Sequence, residues 1–211
     1  IKEQTNLPAL RGIEGRAASA YFTALSLYLP PALRFEGRNR RPPRDPFNAV
    51  LSLTYTLLHS EAVLAVYGAG LDPYIGFYHG VDYGRESLAC DLIEPIRPLV
   101  DNWLLGCFRK NVLREEYFST TQEGCFLGKA GRIHFYQEYE KVIINWRKML
   151  TENCYDLVNV LKTSNVTVSP QRRASQVSVT SQSNFEQNWK NILETYYFNQ
   201  QTMISNIEFY F

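Results

Sequence analysis

Residues 45–70 read DPFNAVLSLTYTLLHSEAVLAVYGAG, and the part from 47 to 67 contains neither glycine nor proline. Asp45 can accept hydrogen bonds from the free amides at a helix start, and Pro46 suits the first helical turn. The sequence GAG at the end of the stretch favours a helix end. We therefore predict a helix here, and we expect it to be the longest helix of the chain.

The same helix is apolar enough to raise the alternative of a membrane span. His59 and Glu61 lie well inside it, however, and an acidic side chain at the bilayer centre costs about 2.5–3.5 kcal/mol. This cost favours a buried core helix over a span. We therefore predict that the protein has no membrane partner.

Apolar residues recur at helical spacing on both sides of this helix. Between 10 and 25 they alternate with small residues, which predicts a closely packed helix. The run 87–111 is mostly apolar but contains Pro95 and Pro98, which interrupt the amide ladder and predict a kinked helix. A further helical pattern extends from 135 to 161. The sequence therefore predicts an all-α body without internal repeats.

Three segments have a different composition. Residues 34–46 combine arginines with prolines, which predicts an exposed and mobile basic loop. Residues 163–184 are Ser/Thr-rich and predict a linker. Residues 185–211 restore helical spacing and predict a C-terminal amphipathic segment that docks on the body or on a partner. The main helical domain is accordingly placed at residues 1–162.

The composition is that of a folded protein, with 211 residues, 45% hydrophobic and 20% charged. Because the net charge is only +1, any binding to nucleic acid must be regional. The four cysteines form no CxxC pair, which argues against a zinc module and a disulfide scaffold and fits a reducing compartment. No secretory signal pattern opens the sequence. We therefore expect a cytoplasmic protein.

Two residues that could take part in metal binding or catalysis lie in unusual surroundings. Glu14 stands among small residues in LRGIEGRAASAYF, and buried acids are rare unless they are paired or bound to a metal. A salt bridge from Glu14 to Arg11 or Arg16 is the alternative. His79 lies in the aromatic sequence PYIGFYHGVDYGR, where a histidine is more often only hydrogen-bonded than a ligand. From the residues alone, both alternatives stay open.

Asp91 and Glu94 in SLACDLIEPIRPLVD are three residues apart, so both carboxylates lie on one helix face, where like charges repel. A bound cation would relieve this repulsion, and so would pairing with Arg85, Arg97 or Lys110. Two carboxylates and one imidazole would form a site suited to Mn²⁺ or Mg²⁺ and to phosphodiester chemistry. Periodicity alone does not bring these residues together.

Three segments carry a family resemblance: residues 10–22, LRGIEGRAASAYF; residues 41–101, RPPRDPFNAV through DLIEPIRPLVD; and residues 124–136, GCFLGKAGRIHFY. In order and spacing they resemble the catalytic helical domain of the CRISPR-associated integrase and endonuclease family, the larger of the two adaptation proteins. The resemblance covers residues 10–146. It implies an all-α, metal-dependent integrase domain at 1–162, with the family's amino-terminal β-rich domain absent from this chain.

The resemblance implies that the protein inserts short foreign DNA fragments, called spacers, into a CRISPR array by transesterification during antiviral defence. It implies a Mg²⁺ or Mn²⁺ ion held by Glu14, His79 and Glu94, with Asp91 assisting catalysis. The alternative is a protein of another functional class: a non-catalytic subunit of the same complex that holds DNA or a partner.

The resemblance also implies several partners. They are double-stranded DNA of the prespacer and the CRISPR repeat, the small second adaptation protein, and a second copy in a homodimer within a larger complex. The sequence GCFLGKAGR resembles the branch fused to a reverse transcriptase, which implies a fused or associated reverse transcriptase. The candidates for phosphate contacts, each of which could also be a solvated surface group, are Arg41, Arg44, Asn48, Arg85, Lys129 and Arg132.

Overall fold

The computed structural model describes residues 7–163, which form five α-helices, three short 3₁₀ turns and one β-hairpin. The helices are α1 (Leu7–Ser26), α2 (Pro46–Gly68), α3 (Ser87–Ile93), α4 (Arg97–Arg109) and α5 (Lys129–Thr163). Strands β1 (Phe118–Thr121) and β2 (Gly124–Leu127) pair antiparallel. The predicted helical body is confirmed, and the hairpin is an addition to it. Thr163, predicted as the first linker residue, ends α5, and the rest of the linker and the C-terminal segment lie outside the described residues.

Both ends of α2 follow the sequence signals. Asp45 Oδ1 accepts a hydrogen bond from the N–H of Asn48 at 2.8 Å, which satisfies one free amide of the first turn. Gly70 follows the helix with φ of +73°, and the N–H of Leu71 bonds to the carbonyl of Val66 at 3.0 Å. This bond belongs to a Schellman motif, in which a residue without a side chain adopts the left-handed conformation. The start and end predicted for α2 are therefore confirmed.

The longest helix is nevertheless α5, with 35 residues against 23 in α2. Gly128 and Gly131 suggested a turn in the sequence, whereas Gly131 lies inside the first turn of α5. A Cβ at Gly131 would lie 2.5 Å from the side chain of Leu127 and 2.8 Å from that of Tyr117. Glycine therefore allows the start of α5 to pack closely on the hairpin, and the helix continues past it.

The predicted interruption of the run 87–111 is confirmed. Helix α3 ends at Ile93, the 3₁₀ turn Glu94–Ile96 follows, and α4 continues from Arg97. Pro95 lies in this turn because it has no amide hydrogen to donate to a helix. Asn111 then ends the helical run with φ of +57°, a conformation that asparagine tolerates better than most residues.

The chain divides into two compact units, the first comprising residues 1–58 and 99–144. Its core is rich in aromatic side chains. Phe47 is fully buried, and its ring centroid lies 5.1 Å from that of Phe35 and 5.8 Å from that of Phe108. Aromatic pairs at such distances add to the stability gained from apolar burial.

A buried carboxylate also joins three helices of the first unit. Asp101 on α4 is 2% exposed. It accepts hydrogen bonds from the hydroxyl of Tyr21 on α1, at 3.0 Å, and from that of Tyr55 on α2, at 2.6 Å. Hydrogen bonds to an ionised acceptor are stronger than neutral ones, so they offset part of the cost of burying this charge.

The second unit comprises residues 59–98 and the described residues from 145 onward. Its buried apolar side chains come from α2, α3 and α5 and include Ala62, Val66, Leu88, Leu92, Trp146 and Leu150. At its surface, Arg147 on α5 forms two hydrogen bonds with the carboxylate of Glu61 on α2, at 2.8 and 2.5 Å. The two helices are therefore joined by a bidentate ion pair.

Among the described residues, α2 is the one helix long and apolar enough to cross a membrane. Within its apolar window, 33% of the residues are buried in the protein. Glu61 is engaged by Arg147, and His59 Nε2 lies 3.8 Å from a carboxylate oxygen of Glu86. These contacts support the interpretation of α2 as a core helix, and the absence of a membrane partner stays a prediction.

Candidate metal site and nucleic-acid surface

Buried Asp91 holds the loop that precedes α3. The side chain of Asp91, on α3, accepts hydrogen bonds from the backbone N–H groups of Phe77 at 2.7 Å, Tyr78 at 3.0 Å and His79 at 2.9 Å. Asp91 is only 1% exposed, so these donors stabilise a charge that water does not reach. Three consecutive amides bound to one carboxylate fix the backbone at His79.

The same carboxylate orients the ring of His79. Nδ1 of His79 lies 2.6 Å from Oδ1 of Asp91. Because an ionised carboxylate can only accept hydrogen bonds, Nδ1 carries the proton and Nε2 is the basic nitrogen. A carboxylate behind a histidine is the usual arrangement around metal-bound histidines in proteins. Asp91 therefore orients the ring of His79 and leaves Nε2 for a ligand, and the assisting role in catalysis that the resemblance implies for Asp91 stays a prediction.

Gly76 makes this arrangement possible. A Cβ at this position would lie 2.6 Å from the carbonyl oxygen of His79 and 2.8 Å from both Asp91 Oδ2 and Ser87 Cβ. No side chain fits without moving backbone atoms. The role of Gly76 could not be predicted from its neighbours in the sequence, because it depends on a residue of another element, Asp91 on α3. A glycine three residues before a candidate histidine was the signal that could have revealed it.

Glu94 is the second candidate ligand in this unit. It is 8% exposed and occupies the first position of the 3₁₀ turn between α3 and α4. Its Oε1 lies 3.1 Å from Nη2 of Arg97. Of the cations considered for balancing the two acids, Arg97 thus pairs with Glu94, while Asp91 is balanced by backbone amides and an imidazole. Both acids therefore have partners within the protein, and no metal ion is required to balance their charges.

The cysteines provide no activated nucleophile. All four are free thiols. Burial raises the pKa of Cys90 and Cys125, and it raises the pKa of Cys107 to about 12 and that of Cys154 to about 11. Since the thiolate is the nucleophilic form, these side chains are unreactive at neutral pH.

Glu14 is half-buried on α1, in the first unit, whereas His79 and Glu94 belong to the second. The convergence of the three side chains therefore stays a prediction. Within residues 7–58 and 99–144, and within 59–98 and 145–163, no group of three or more His, Cys, Asp and Glu side chains is arranged to hold a metal ion. The second unit does supply an oriented imidazole, that of His79, and the carboxylate of Glu94, and together with a second acid these donors would suit Mn²⁺ or Mg²⁺.

Most of the candidate phosphate ligands are exposed cations. Those fully at the surface of the first unit are Arg41, Arg44, Lys129 and Arg132. The carbonyl of Pro43 accepts a hydrogen bond from the N–H of Cys125 at 2.7 Å, which joins the loop 34–45 to β2. Strand β2 leads directly into α5, so the four cations lie on connected elements. They remain candidates for a nucleic-acid surface.

Asn48 has a different role from the phosphate contact predicted for it. It is fully buried, and its Nδ2 donates to the carbonyl of Gly37 at 2.8 Å and to Asp45 Oδ2 at 2.6 Å. Its Oδ1 accepts from the Nη1 of Arg38 and from the N–H of Asn39. The structure contradicts a direct DNA contact by this side chain, because all of its polar atoms are used inside the protein. Asn48 instead holds the preceding loop.

The segment 34–46 is correspondingly more fixed than its composition indicated. Phe35 is buried, and the guanidinium of Arg38 donates to Asn48 and, at 3.2 Å, to Ser52 Oγ. Prolines do exclude regular structure here, but side-chain hydrogen bonds replace it. The expectation of an exposed loop is therefore wrong for Phe35, whereas Arg41 and Arg44 are exposed as expected, and the mobility of the segment stays a prediction.

Arg85 is largely engaged within its own turn. Its Nη2 donates to the carbonyl of Gly80 at 2.6 Å, its Nε donates to Ser87 Oγ at 3.3 Å, and its Nη1 lies 3.4 Å from Asp82 Oδ2. The side chain is 40% exposed, so one edge still faces solvent. A phosphate contact by Arg85 stays a prediction, and bracing the turn is the role its contacts support.

Comparison with known proteins confirms the family. The family profile described as CRISPR associated protein Cas1 matches residues 1–141. Over 138 residues the chain is 49% identical to a CRISPR-associated endonuclease Cas1 of Thermodesulfovibrio yellowstonii, covering 64% of this chain and 43% of that protein. The chain thus spans less than half the length of this curated relative.

The fold agrees with solved structures. A CAS1 protein from Thermotoga maritima is similar at a TM-score of 0.71 and 28% identity, over 81% of this chain and 56% of that one. A chain of a partial Cas6-RT-Cas1–Cas2 complex is similar at a TM-score of 0.72 and 26% identity, over 82% of this chain and 56% of that one. Because the family profile covers well over half of the 211 residues, the chain belongs to the Cas1 family of CRISPR-associated proteins.

Proposed function

We propose that this chain is the helical catalytic part of a metal-dependent DNA integrase and endonuclease that inserts short DNA fragments into a CRISPR array. One observation carries the proposal. Buried Asp91 fixes the ring of His79 so that Nε2 is the nitrogen left for a ligand, and Glu94 follows on the same helical run. The relative named as an endonuclease supports the same class of activity.

The proposed metal ligands are Nε2 of His79 and the carboxylates of Glu94 and Glu14. Two carboxylates and one imidazole suit Mg²⁺ or Mn²⁺, because such sites keep coordination positions for water and phosphate oxygens. When bound, the ion polarises the phosphodiester and aligns the attacking hydroxyl. Asp91 keeps the imidazole in the tautomer that can bind a cation. Arg97 compensates the charge of Glu94 until the ion is bound.

In the proposed reaction the 3′-hydroxyl of the fragment attacks a phosphodiester at the boundary of the repeat. A new phosphorus–oxygen bond forms while the bond to the 3′-oxygen of the displaced strand breaks. The exposed cations Arg41, Arg44, Lys129 and Arg132 bind backbone phosphates, which gives salt-dependent affinity with little sequence preference. No side chain has to act as a covalent nucleophile, in agreement with the protonated cysteines.

The proposed assembly contains DNA and further proteins. The DNA partners are the duplexes of the incoming fragment and of the repeat. The protein partners are a second copy of this chain, the small second adaptation protein, and a reverse transcriptase that is fused to the chain or associated with it. The similarity to a chain of a complex named with Cas2 and Cas6-RT supports this set. We place the assembly in the cytoplasm of a prokaryote, without a membrane partner.

Integration of a labelled fragment into a repeat-bearing plasmid tests the proposal. The chain is combined with its small partner protein and Mn²⁺, and the assay is repeated with chelator. Glu14→Ala, His79→Ala and Glu94→Ala should each abolish strand transfer and leave DNA binding largely intact, because the phosphate contacts come from other residues. The triple variant should be hardly worse than a single one, since the ligands act as a unit.

His134→Ala and Glu140→Ala serve as matched controls, because both side chains are exposed on α5. They should keep full integration. Undiminished integration by Glu14→Ala or His79→Ala would contradict the ligand assignment, and activity that survives chelation would contradict metal dependence. DNA binding without strand transfer by the unmodified protein would favour the alternative of a non-catalytic subunit.

A further inference from the structure

The loop that carries His79 has an exposed apolar rim. We use this name for Tyr74, Ile75, Val81 and Tyr83, which are 41%, 64%, 74% and 104% exposed. Single exposed apolar side chains are common on protein surfaces. Here four of them lie within the one loop that also carries a candidate metal ligand, so they are candidates for contacts with whatever binds at that loop. Tyr83 is the most exposed of the four and lies four positions after His79.

The turn that carries Tyr83 is firmly braced. Asp82 and Arg85 form an antiparallel bridge, and Asp82 Oδ1 accepts the N–H of Tyr83 at 2.9 Å. The carbonyl of Gly80 accepts hydrogen bonds from Arg85 Nη2 at 2.6 Å and from Ser87 Oγ at 2.9 Å. The ring of Tyr83 is therefore displayed on a fixed support. Little backbone entropy would be lost when a ligand covers it, which favours binding.

The charges around this turn select the kind of group that can approach it. The side chain of Asp82 is 65% exposed and that of Glu86 is 30% exposed. The nearby cation, Arg85, is already paired with Asp82. Phosphate groups are therefore not attracted to the turn itself. An uncharged, flat and polarisable group fits better, and nucleobases stack on exposed aromatic side chains in this way.

Deepening the function proposed above, we infer that Tyr83 stacks on a nucleobase of the DNA strand whose reacting end lies at His79, and that it positions this strand. A base inside a duplex is covered on both faces, so the base concerned must be terminal or unpaired. Tyr83 acts as a positioning residue, because the ring holds a base and touches no reacting atom. The inference rests on the proposed DNA-processing function.

Binding measurements on the full 211-residue chain test this inference. The probe is a short fluorescent duplex with unpaired thymidines at its 3′ ends, titrated by anisotropy over a series of salt concentrations. Tyr83→Ala should weaken binding about tenfold, which is within the range for the loss of one stacked base. The salt dependence should stay unchanged because no phosphate contact is removed. Tyr83→Phe and Tyr83→Trp should bind like the unmodified chain.

Tyr155→Ala is the matched control, because Tyr155 is 56% exposed on α5 and lies outside the rim. Its affinity should not change. A second arm replaces the unpaired thymidines one at a time by abasic sites. At one position the abasic probe should lose as much affinity as Tyr83→Ala does, and combining the two changes should cause no further loss.

Two results would overturn the inference while the proposed function stands. One is unchanged affinity of Tyr83→Ala on a probe that the unmodified chain binds in a salt-dependent manner. The other is additive losses at every abasic position, since independent effects mean that no base contacts the ring. Failure of the unmodified chain to bind the probe at any salt concentration would instead overturn the proposed function together with the inference.

Discussion

Two loops of this protein are each held by one buried aspartate, and the two aspartates have different consequences. Asp45, which precedes α2, accepts hydrogen bonds from Nδ2 of Asn39 at 3.1 Å and from the N–H and Nδ2 of Asn48 at 2.8 and 2.6 Å. Asp91, on α3, accepts three loop amides and Nδ1 of His79. Both carboxylates are almost fully buried, at 4% and 1% exposure.

The difference lies in the donors. Around Asp45 they are amides, and the polar atoms of Asn48 are all used within the loop. Around Asp91 one donor is an imidazole, which has a second nitrogen on the opposite side of the ring. Both aspartates thus order a loop by accepting its hydrogen bonds. Asp45 only stabilises its loop, whereas Asp91 also orients a potential metal ligand.

The largest effect is expected from removing the two carboxylates in turn. Asp91→Ala leaves three buried amides and an imidazole without their acceptor, and it should lower the free energy of unfolding by about 3–5 kcal/mol and abolish integration. Asp45→Ala removes a helix cap and an amide partner, and it should cost about 2 kcal/mol while integration per folded molecule is kept. Urea unfolding and the plasmid assay measure both. Equal loss of integration per folded molecule in the two variants would remove the distinction.

A second test concerns the ion pair between Arg97 and Glu94. Arg97→Gln leaves the buried carboxylate of Glu94 without its cation and should lower stability by about 3 kcal/mol. Mn²⁺ should restore part of this loss, because a bound cation replaces the missing charge. The control is Arg147→Gln, whose exposed pair with Glu61 should cost less than about 1 kcal/mol. Melting temperatures that respond to Mn²⁺ equally in both variants would contradict a metal at Glu94.

The close approach at Gly76 allows a smaller test of the Asp91 loop. Gly76→Ala should lower stability by about 1–3 kcal/mol and reduce integration, because the new methyl group pushes on the carbonyl of His79. Gly80→Ala is the matched control in the same loop, since a Cβ there meets nothing within 4 Å. Its stability should change by no more than about 0.5 kcal/mol. If the two variants unfold at the same urea concentration, the packing argument fails.

The smallest effect is expected for DNA affinity at the Asp45 loop. Replacing both Arg41 and Arg44 by alanine should reduce the slope of log affinity against log salt by about 1.8, with the fold retained. Asn48→Ala should destabilise the protein by about 1–3 kcal/mol and leave that slope unchanged. Anisotropy titrations at several salt concentrations distinguish the two. Because asparagine is uncharged, a phosphate contact by Asn48 would show as weaker DNA binding by folded Asn48→Ala protein at every salt concentration, and that result would restore the role predicted for it from the sequence.

Local signals in the sequence were sufficient for much of the fold. The cap at Asp45, the glycines after α2, and Pro95 all act on neighbouring backbone, so α2 and the interruption before α4 could be predicted. The helical spacing of apolar residues predicted the all-α body, and the family motifs gave the identity of the candidate ligands. The hairpin was missed because its strands have only four residues each, too few for a clear alternating pattern.

The remaining features depend on contacts between distant parts of the chain. Gly76 matters only because Asp91 packs against it, and Asn48 is buried only because residues 37–39 fold back onto it. Nothing in the local composition distinguishes a buried asparagine that orders a loop from an exposed one that binds phosphate. Asp91 and His79 could likewise be predicted as candidate site residues. Their geometry could not, because it depends on how the loop between them folds.

The most direct test of the account is the state of the His79 ring. The protein has three histidines, His59, His79 and His134, so ¹⁵N-labelled imidazoles give three sets of NMR signals, two of them internal controls. In the metal-free protein His79 should carry its proton on Nδ1, and added Mn²⁺ should broaden its Nε2 signal far more than those of the other two rings. A proton on Nε2 of His79, or equal broadening of all three rings, would contradict the account.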